Sequence, residues 1–181
     1  LAAGTIAQVH AARLESGERV VVKVQRPTAR DEIMRDLGLL RLFAEKAGNR
    51  PAYRDLLDLP LVVEHLAAAL ERELDFRQEA ANIEKVGRIL APYRQLGVPR
   101  VHEQLSTSRL LVLDEIGGVP VREAPAGEAR LAAARELLDA YYLQILGEGF
   151  FHADPHPGNL RWWQDRIWFL QQFEPRSTNY N

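Results

Sequence analysis

The sequence contains no cysteine, which excludes a disulfide framework, a zinc–thiolate site and a cysteine nucleophile. It also has no apolar run near the roughly 20 residues that a membrane-spanning helix needs, so no membrane segment is predicted in this chain. The chain also lacks a large excess of charge of either sign. Its net charge of −2 gives no reason to expect nucleic acid as a partner. What is present is an ordinary globular composition, 46% hydrophobic and 27% charged, which can bury a core in one domain or in two lobes.

Strand-prone and helix-prone segments alternate along the chain in an order typical of a mixed α+β fold with two lobes. Residues 5–13 and 19–25 flank the turn signal LESGE and predict a hairpin. Helical spacing predicts a helix after Pro27 and a mostly helical span over residues 61–90. The later segments predict two strands (VPRVHEQL and RLLVLDEI), a lobe boundary (GGVPV), a long helix (GEARLAAARELLDAYYLQILGEG) and a short strand (RIWFL).

This order predicts three parts of the chain. Residues 1–118 form an N-terminal lobe with the first strands, the helices and a hinge. Residues 119–170 begin a C-terminal lobe, and residues 171–181 form a divergent tail.

Two charged side chains fall at positions that are otherwise apolar. Lys23 lies mid-strand in VVVKVQ, where it either faces outward from an edge strand or, if buried, needs an acidic partner. Glu79 stands at the head of the apolar helix face formed by Ile83, Val86 and Leu90, so we expect it to point inward. Together the two charges predict a strand-lysine to helix-glutamate ion pair, the arrangement used by kinases.

The stretch GFFHADPHPGNL, residues 149–160, places polar and turn-forming residues directly behind an apolar segment. One interpretation is a structural loop whose prolines end the preceding helix. A second is a metal site built from His152, Asp154 and His156, since imidazole and carboxylate suit zinc or iron. No further ligands lie near these three residues in the sequence.

A third interpretation is a catalytic loop for phosphoryl transfer. Asp154 and Asn159 have the D-x-x-x-x-N spacing of such loops. The acid would orient a substrate hydroxyl and accept its proton, while the amide oxygen would bind magnesium. The catalytic loop is favoured because Lys23 and Glu79 lie upstream in the order that this chemistry requires.

Four segments occur in order and span nearly the whole chain: LAAGTIAQVHAARLESGERVVVKVQRP, ERELDFRQEAANIEKV, LLVLDEIGGVPV and GFFHADPHPGNL. Together they closely resemble the UbiB/AarF/ADCK-type atypical kinases. The resemblance implies a protein-kinase-like α+β fold, with a small β-rich N-lobe that carries inserted helices and the start of a helical C-lobe.

The resemblance implies an ATP site. Lys23 matches the lysine that contacts the nucleotide phosphates, Glu79 matches its helix partner, and Leu113 matches the position behind the adenine. An alanine-rich loop over the nucleotide is implied at Ala2, Ala3, Gly4 and Thr5. A hinge that binds adenine through its backbone is implied at Asp114, Glu115 and Ile116.

The resemblance also implies a metal and an additional acidic signature. Asp154 matches the catalytic acid and Asn159 a ligand of Mg²⁺. Glu73 and Asp75 match an E-x-D signature that this kind of protein carries near the active site. The implied activity is that of an ATPase or small-molecule kinase in ubiquinone or isoprenoid-lipid metabolism. The implied partners are a lipid, a quinone-pathway small molecule or a protein, and the implied location is cytoplasmic or peripheral to a membrane.

Two departures from the family pattern give an alternative. The K-x-G-Q segment that precedes these motifs in the family is absent from this sequence, and we expect the chain to be truncated at both ends. The strand RIWFL should lead into Asp-Phe-Gly, but Gln171 or Gln172 occupies the place of the metal-binding acid. Magnesium prefers carboxylate oxygen, so the alternative is a nucleotide- or lipid-binding pseudokinase.

Overall fold

The structure is a computed structural model that describes residues 2–3, 6–48, 58–151 and 156–170. Within these ranges, the strands and helices in chain order are β1 (Ala2–Ala3), β2 (Ala7–Arg13), β3 (Arg19–Gln25), α1 (Ala29–Gly48), α2 (Leu59–Glu73), α3 (Phe76–Leu90), β4 (Leu96–Gly97), β5 (Leu110–Asp114), β6 (Val119–Pro120), α4 (Glu128–Tyr142), β7 (Leu160–Trp163) and β8 (Arg166–Phe169). The predicted mixed α+β fold is confirmed.

The N-terminal sheet has four antiparallel strands in the order β1-β2-β3-β5. The predicted hairpin is present as β2 and β3, although β2 begins at Ala7 rather than at residue 5. Ala2 and Ala3, predicted to lie in a loop, pair with β2 as a short strand. Lys23 lies between Val9 on β2 and Leu111 on β5. Because β3 is an inner strand, the edge-strand interpretation of Lys23 is wrong.

The helices between β3 and β4 differ from the prediction in one respect. The predicted helical span over residues 61–90 is interrupted at Leu74 and Asp75, so that α2 and α3 are separate helices. The Asp75 carboxylate accepts a hydrogen bond from the Arg77 backbone N–H at 3.0 Å, as an aspartate does when it caps a helix N-terminus. Periodicity missed the break because the apolar spacing runs on across it. Among the described helices, none is both long enough and apolar enough to cross a membrane.

A second sheet has the order β4-β8-β7-β6. The predicted strand RIWFL is present as β8, but its hairpin partner β7 was not predicted. Gln164 and Asp165 join the two strands with positive φ angles of 51° and 57°, which matches the twist that two-residue hairpins favour. The predicted strand VPRVHEQL is wrong: within it, Val101 makes an isolated bridge to Leu113, and Glu103–Leu105 is a 3-10 turn.

Two clusters of buried apolar side chains form the core. One lies where the N-terminal sheet meets α3, and its buried members are Ala7, Phe76, Ile83, Leu111 and Leu113. The other joins the end of α3 to α4 and the second sheet through Val86, Leu90, Leu96, Ala124, Ala133, Ala140, Leu160, Trp162, Ile167 and Phe169. Helix α3 therefore contributes to both clusters, and its inward face carries the predicted site residue Glu79. The predicted lobe limits, residues 1–118 and 119–170, stay a prediction.

Candidate functional site

Lys23 and Glu79 form an ion pair at the contact between β3 and α3. The Lys23 Nζ atom donates to Glu79 Oε2 at 2.6 Å, and each side chain is only 14% exposed. Lys23 Nζ also lies 4.9 Å from the centroid of the Phe76 ring, within the range of a cation–π contact. The predicted pairing of these two charges is thus present, while their role in catalysis stays a prediction.

The start of α3 is held in place by contacts that sequence reasoning missed. The buried Gln25 side chain donates through Nε2 to the Leu74 carbonyl oxygen at 2.8 Å. The Phe76 N–H donates to the Ser108 carbonyl oxygen at 3.0 Å, and the Phe76 ring is fully buried. Gln25 lies two residues after Lys23 on the same face of β3, which is the signal that could have identified it. These contacts fix Glu79, one turn further on, opposite Lys23.

Electrostatics at the ion pair are set by burial. Burial raises the pKa of the Glu79 carboxyl above its ordinary value, while the charge and hydrogen bond of Lys23 act in the opposite direction. The negative charge of Glu73 raises this pKa further. Glu79 Oε1 is buried and has no hydrogen-bond partner among the described residues. The carboxylate therefore depends on Lys23 to stay ionised in this position.

The two residues of the acidic signature have different surroundings. Asp75 caps α3 and accepts hydrogen bonds from the Arg77 guanidinium at 2.7 to 3.2 Å. This side-chain contact lowers the pKa of Asp75. Glu73 is the exposed last residue of α2. Its negative charge raises the pKa of Glu79, as described above. Asp75 thus has a structural role as a cap, and a role of either residue in catalysis stays a prediction.

The predicted hinge follows the last strand of the N-terminal sheet. Leu113 is 1% exposed and belongs to the same apolar cluster as Phe76. The Asp114 carboxylate lies 2.8 Å from His102 Nε2, a partner that the sequence did not indicate. Both Glu115 carboxylate oxygens accept from the Arg19 guanidinium at 2.8 Å. The side chains of Asp114 and Glu115 are therefore engaged, and so are their backbone N–H groups, which donate to the carbonyl oxygens of Arg100 and Arg19 at 3.0 and 3.1 Å.

Asn159, the predicted metal ligand, ends a 3-10 turn formed by Pro157–Asn159. The residue is 7% exposed. Its N–H donates to the His156 carbonyl oxygen at 2.8 Å, and its carbonyl oxygen accepts from the Leu170 N–H at 2.7 Å. Asn159 is thus fixed at the start of β7.

The rest of the predicted catalytic loop is outside the structural description. His152, Asp154, Gly4, Thr5, Gln171 and Gln172 lie outside the described residues. His156 Nδ1 accepts from the Gly158 N–H at 3.0 Å. Among residues 2–3, 6–48, 58–151 and 156–170, no group of three His, Cys, Asp or Glu side chains could hold a metal ion. The alternative metal site at His152, Asp154 and His156 therefore stays a prediction.

A sequence model of the ABC1 atypical kinase-like domain matches residues 1–172. The chain belongs to the ABC1 atypical kinase-like family. The UbiB/AarF/ADCK-type resemblance is confirmed by relatives with names of this kind. One is the probable protein kinase UbiB of Pseudomonas entomophila, 36% identical over 99% of this chain and 33% of the relative. Another is the chloroplastic protein ACTIVITY OF BC1 COMPLEX KINASE 7 of Arabidopsis thaliana, 38% identical over 88% of this chain and 24% of the relative.

A solved structure supports the same assignment. Rv3197 of Mycobacterium tuberculosis, determined in complex with erythromycin, is similar with a TM-score of 0.73 and 29% sequence identity. The match covers 94% of this ABC1-family chain and 43% of Rv3197. The chain spans a quarter to a third of the length of the two curated relatives above. The kinase-like fold predicted from the sequence is therefore confirmed for the region that this chain covers.

Proposed function

We propose that this chain binds ATP with Mg²⁺ and belongs to an ABC1-type ATPase or small-molecule phosphotransferase. The ion pair between Lys23 and Glu79, at 2.6 Å and largely buried, carries the proposal. A buried lysine–glutamate pair that joins an inner strand to a helix is what kinases use to hold the nucleotide phosphates. A buried ion pair adds little net stability to a fold, because the desolvation of two charges offsets most of their attraction. A role in ligand binding therefore explains this pair better than stability alone.

The described residues fit the phosphates and the adenine of ATP. A lysine ammonium has three N–H donors, so its contact with Glu79 is compatible with further contacts to phosphate oxygens. Leu113 is 1% exposed and belongs to the apolar core directly before the hinge. Among the described residues, the Ile116 backbone N–H has no hydrogen-bond partner. A free backbone donor is the kind of group that binds the edge of an adenine ring in a kinase hinge.

The residues near β7 fit a magnesium ion in part. The side-chain amide oxygen of Asn159 is a ligand type that Mg²⁺ accepts, and the residue is buried at the start of β7. Asp154 would orient the acceptor hydroxyl or water and take up its proton. When bound, the ion neutralises phosphate charge.

Equilibrium binding and hydrolysis together test this proposal. Lys23→Met should weaken ATP–Mg²⁺ binding by about tenfold or more, since a charge-assisted contact to phosphate contributes roughly 1.5–3 kcal/mol. Asp154→Asn should keep binding within about twofold and abolish hydrolysis, because a general base acts in the chemical step. Lys46→Met, which removes an exposed lysine from the last turn of α1, is the matched control. Equal binding by the wild type, Lys23→Met and Lys46→Met would contradict the proposal.

The pseudokinase alternative has its own motivation in Gln171 and Gln172. A neutral amide at the position of the expected acid weakens the hold on a divalent cation. The alternative predicts that ATP binds equally well with Mg²⁺ and with EDTA, and that no phosphate is released. Magnesium-dependent release of phosphate that is lost in Asp154→Asn would exclude it.

The link to isoprenoid-quinone metabolism is proposed from the family resemblance alone. It predicts a lipid or quinone-pathway partner for the protein in its cell. Changing Lys23 to methionine in the gene should then lower isoprenoid-quinone content, measured by mass spectrometry of lipid extracts. Unchanged quinone content together with lost ATP binding in the purified variant would separate the nucleotide site from that pathway.

A further inference from the structure

Arg161 on β7 binds the backbone of the glycine pair that follows the predicted hinge. Its Nε donates to the Gly117 carbonyl oxygen at 3.1 Å, and its Nη2 donates to the Gly118 carbonyl oxygen at 2.6 Å. Next to this contact, β6 pairs with β7 in the register Val119 to Trp162. One side chain thus joins the segment between the predicted lobes to the strand that follows the predicted catalytic loop.

The glycines permit this close approach. Gly118 has a φ of +76°, and a Cβ atom there would lie 2.0 Å from the Trp162 carbonyl oxygen. A side chain is therefore excluded both by backbone conformation and by space. A Cβ atom on Gly117 would lie 3.3 Å from Trp163 Nε1. The glycine pair consequently acts as a fixed contact with β7 rather than as a loose linker.

The opposite end of the predicted hinge is fixed to the N-terminal sheet. Arg19 donates to both Glu115 carboxylate oxygens, and the Glu115 N–H donates to the Arg19 carbonyl oxygen at 3.1 Å. A planar guanidinium that binds a carboxylate with two hydrogen bonds fixes its orientation as well as its distance. Ile116, whose N–H has no partner among the described residues, lies between the Arg19 and Arg161 contacts.

The far end of this connection is the predicted metal ligand. Asn159 precedes β7 directly and stands two residues before Arg161. Leu160, the one residue between them, pairs with Phe169 on β8. The Asn159 carbonyl oxygen also accepts from the Leu170 N–H. The Arg161 side chain therefore holds the glycine pair that follows the hinge, and the backbone of residues 159–161 joins this contact to the turn that ends at Asn159.

We infer that Arg161 is a positioning residue that sets the distance between the adenine-binding edge at residues 114–116 and the metal ligand Asn159. This inference rests on the proposed function. A ligand that contacts both ends, such as ATP with Mg²⁺, depends on the spacing between them. A ligand that contacts one end only, adenosine or tripolyphosphate with Mg²⁺, does not. The Arg161 side chain acts through the glycine backbone rather than on the ligand.

The test is a comparison of three ligands on two matched variants of the whole chain by isothermal titration calorimetry. Arg161→Met removes both contacts to the glycine pair. Arg166→Met removes another arginine from the same hairpin. The Nη2 atom of Arg166 donates to the Leu96 carbonyl oxygen at 2.6 Å, away from the hinge. Arg161→Met should weaken ATP–Mg²⁺ about tenfold, a usual size for coupling between two sites, and change the other two ligands less than about twofold. Arg166→Met should change all three less than about twofold.

Two further measurements test the inference, and the first of them applies even if Arg161→Met folds poorly. Arg161→Lys keeps the charge but cannot donate in the fork geometry, so it should show the same selective loss for ATP, reduced in size. Without any ligand, amide hydrogen exchange at residues 117–119 should be faster in Arg161→Met than in Arg166→Met.

The outcomes separate this inference from the proposed function. Parallel weakening of all three ligands, or equal behaviour of the two methionine variants, would overturn the inference and leave the proposed nucleotide site standing. If the wild-type chain binds none of the three ligands, the proposed function fails and the inference fails with it. Selective loss for ATP, together with faster exchange at residues 117–119, supports the inference.

Discussion

Removing the two partners of the Lys23–Glu79 ion pair, singly and together, should show strong coupling between them. At 2.6 Å, two unit charges attract by about 6 kcal/mol at an effective dielectric constant of about 20, before desolvation is counted. Desolvation offsets much of this, and the loss of one partner from a buried pair typically destabilises by roughly 3–5 kcal/mol. We therefore expect Lys23→Met and Glu79→Met each to lower the free energy of unfolding by about 3 kcal/mol at pH 7.5.

The double variant should change the free energy of unfolding by less than about 1 kcal/mol, instead of the loss of roughly 6 kcal/mol that independent effects would give. This follows because replacing both charges by apolar side chains leaves no unpaired charge in the core. The exposed pair formed by Arg41 and Glu64, with side chains 37% and 58% exposed, is the control. Its double-variant cycle should give a coupling below about 1 kcal/mol.

The pH dependence of the Lys23→Met variant gives an independent check. The pKa of Glu79 is raised in the folded chain above the ordinary 4.5. Its contribution to stability is therefore fully present below pH 4.5 and is lost as the pH rises through the folded-state pKa. In Lys23→Met, the positive charge and the hydrogen bond that lower the Glu79 pKa are gone. The stability contributed by protonated Glu79 therefore persists to higher pH in this variant. Acidification from pH 7.5 to 5 should thus reduce the destabilisation caused by Lys23→Met, by at most about 1.4 kcal/mol per pH unit.

Urea unfolding followed by two probes is the appropriate assay. The three tryptophans, Trp162, Trp163 and Trp168, all lie in the β7–β8 hairpin. Fluorescence therefore reports the second sheet, and far-UV circular dichroism is needed to follow the helices. Coincident transitions would justify two-state free energies. Additive losses in the double variant, or a Lys23→Met deficit that does not change with pH, would refute the reasoning.

Three other substitutions give simpler expectations, each measured by urea unfolding. Asp75→Ala should lower the free energy of unfolding by about 1 kcal/mol through loss of the α3 cap, and Asp75→Asn should retain most of it; equal losses would argue against capping. Gly118→Ala should destabilise by more than about 3 kcal/mol, since its Cβ would lie 2.0 Å from the Trp162 carbonyl oxygen; a loss below 1 kcal/mol would show that the linker can move away. Gly38→Ala, in open space within α1, should stabilise by about 0.5–1 kcal/mol, and a loss would contradict the helical assignment.

The parts of the site that sequence predicted are those whose chemistry is unusual for their position. Lys23 among valines and Glu79 on an apolar helix face each require an explanation, and one partner explains both. The two residues could be predicted to pair without knowing how far apart they lie in the folded chain. The β2–β3 hairpin was equally accessible, because a turn signal between two β-prone runs is a local pattern.

The parts that the sequence did not reveal depend on contacts between residues far apart in the chain. Gln25 binds a carbonyl oxygen 49 positions away, and Arg161 binds carbonyl oxygens 43 and 44 positions away. Neither residue type is unusual at its own position. The break at Asp75 was missed for a different reason: an aspartate inside a helical pattern is common, and its capping role shows only from backbone geometry.

The central claim is that the Lys23–Glu79 pair belongs to a nucleotide site. The most direct measurement is thermal unfolding of the wild-type chain, Lys23→Met and Lys46→Met, each with and without ATP and Mg²⁺. A ligand that binds only the folded chain at a hundredfold excess over its dissociation constant stabilises it by about 2.7 kcal/mol. We predict that ATP with Mg²⁺ raises the unfolding temperature of the wild type and of Lys46→Met, and that it raises that of Lys23→Met by about half as much or less, because tenfold weaker binding leaves a stabilisation of only about 1.4 kcal/mol at the same ligand concentration. An equal rise in all three proteins, or no rise in the wild type, would contradict the account.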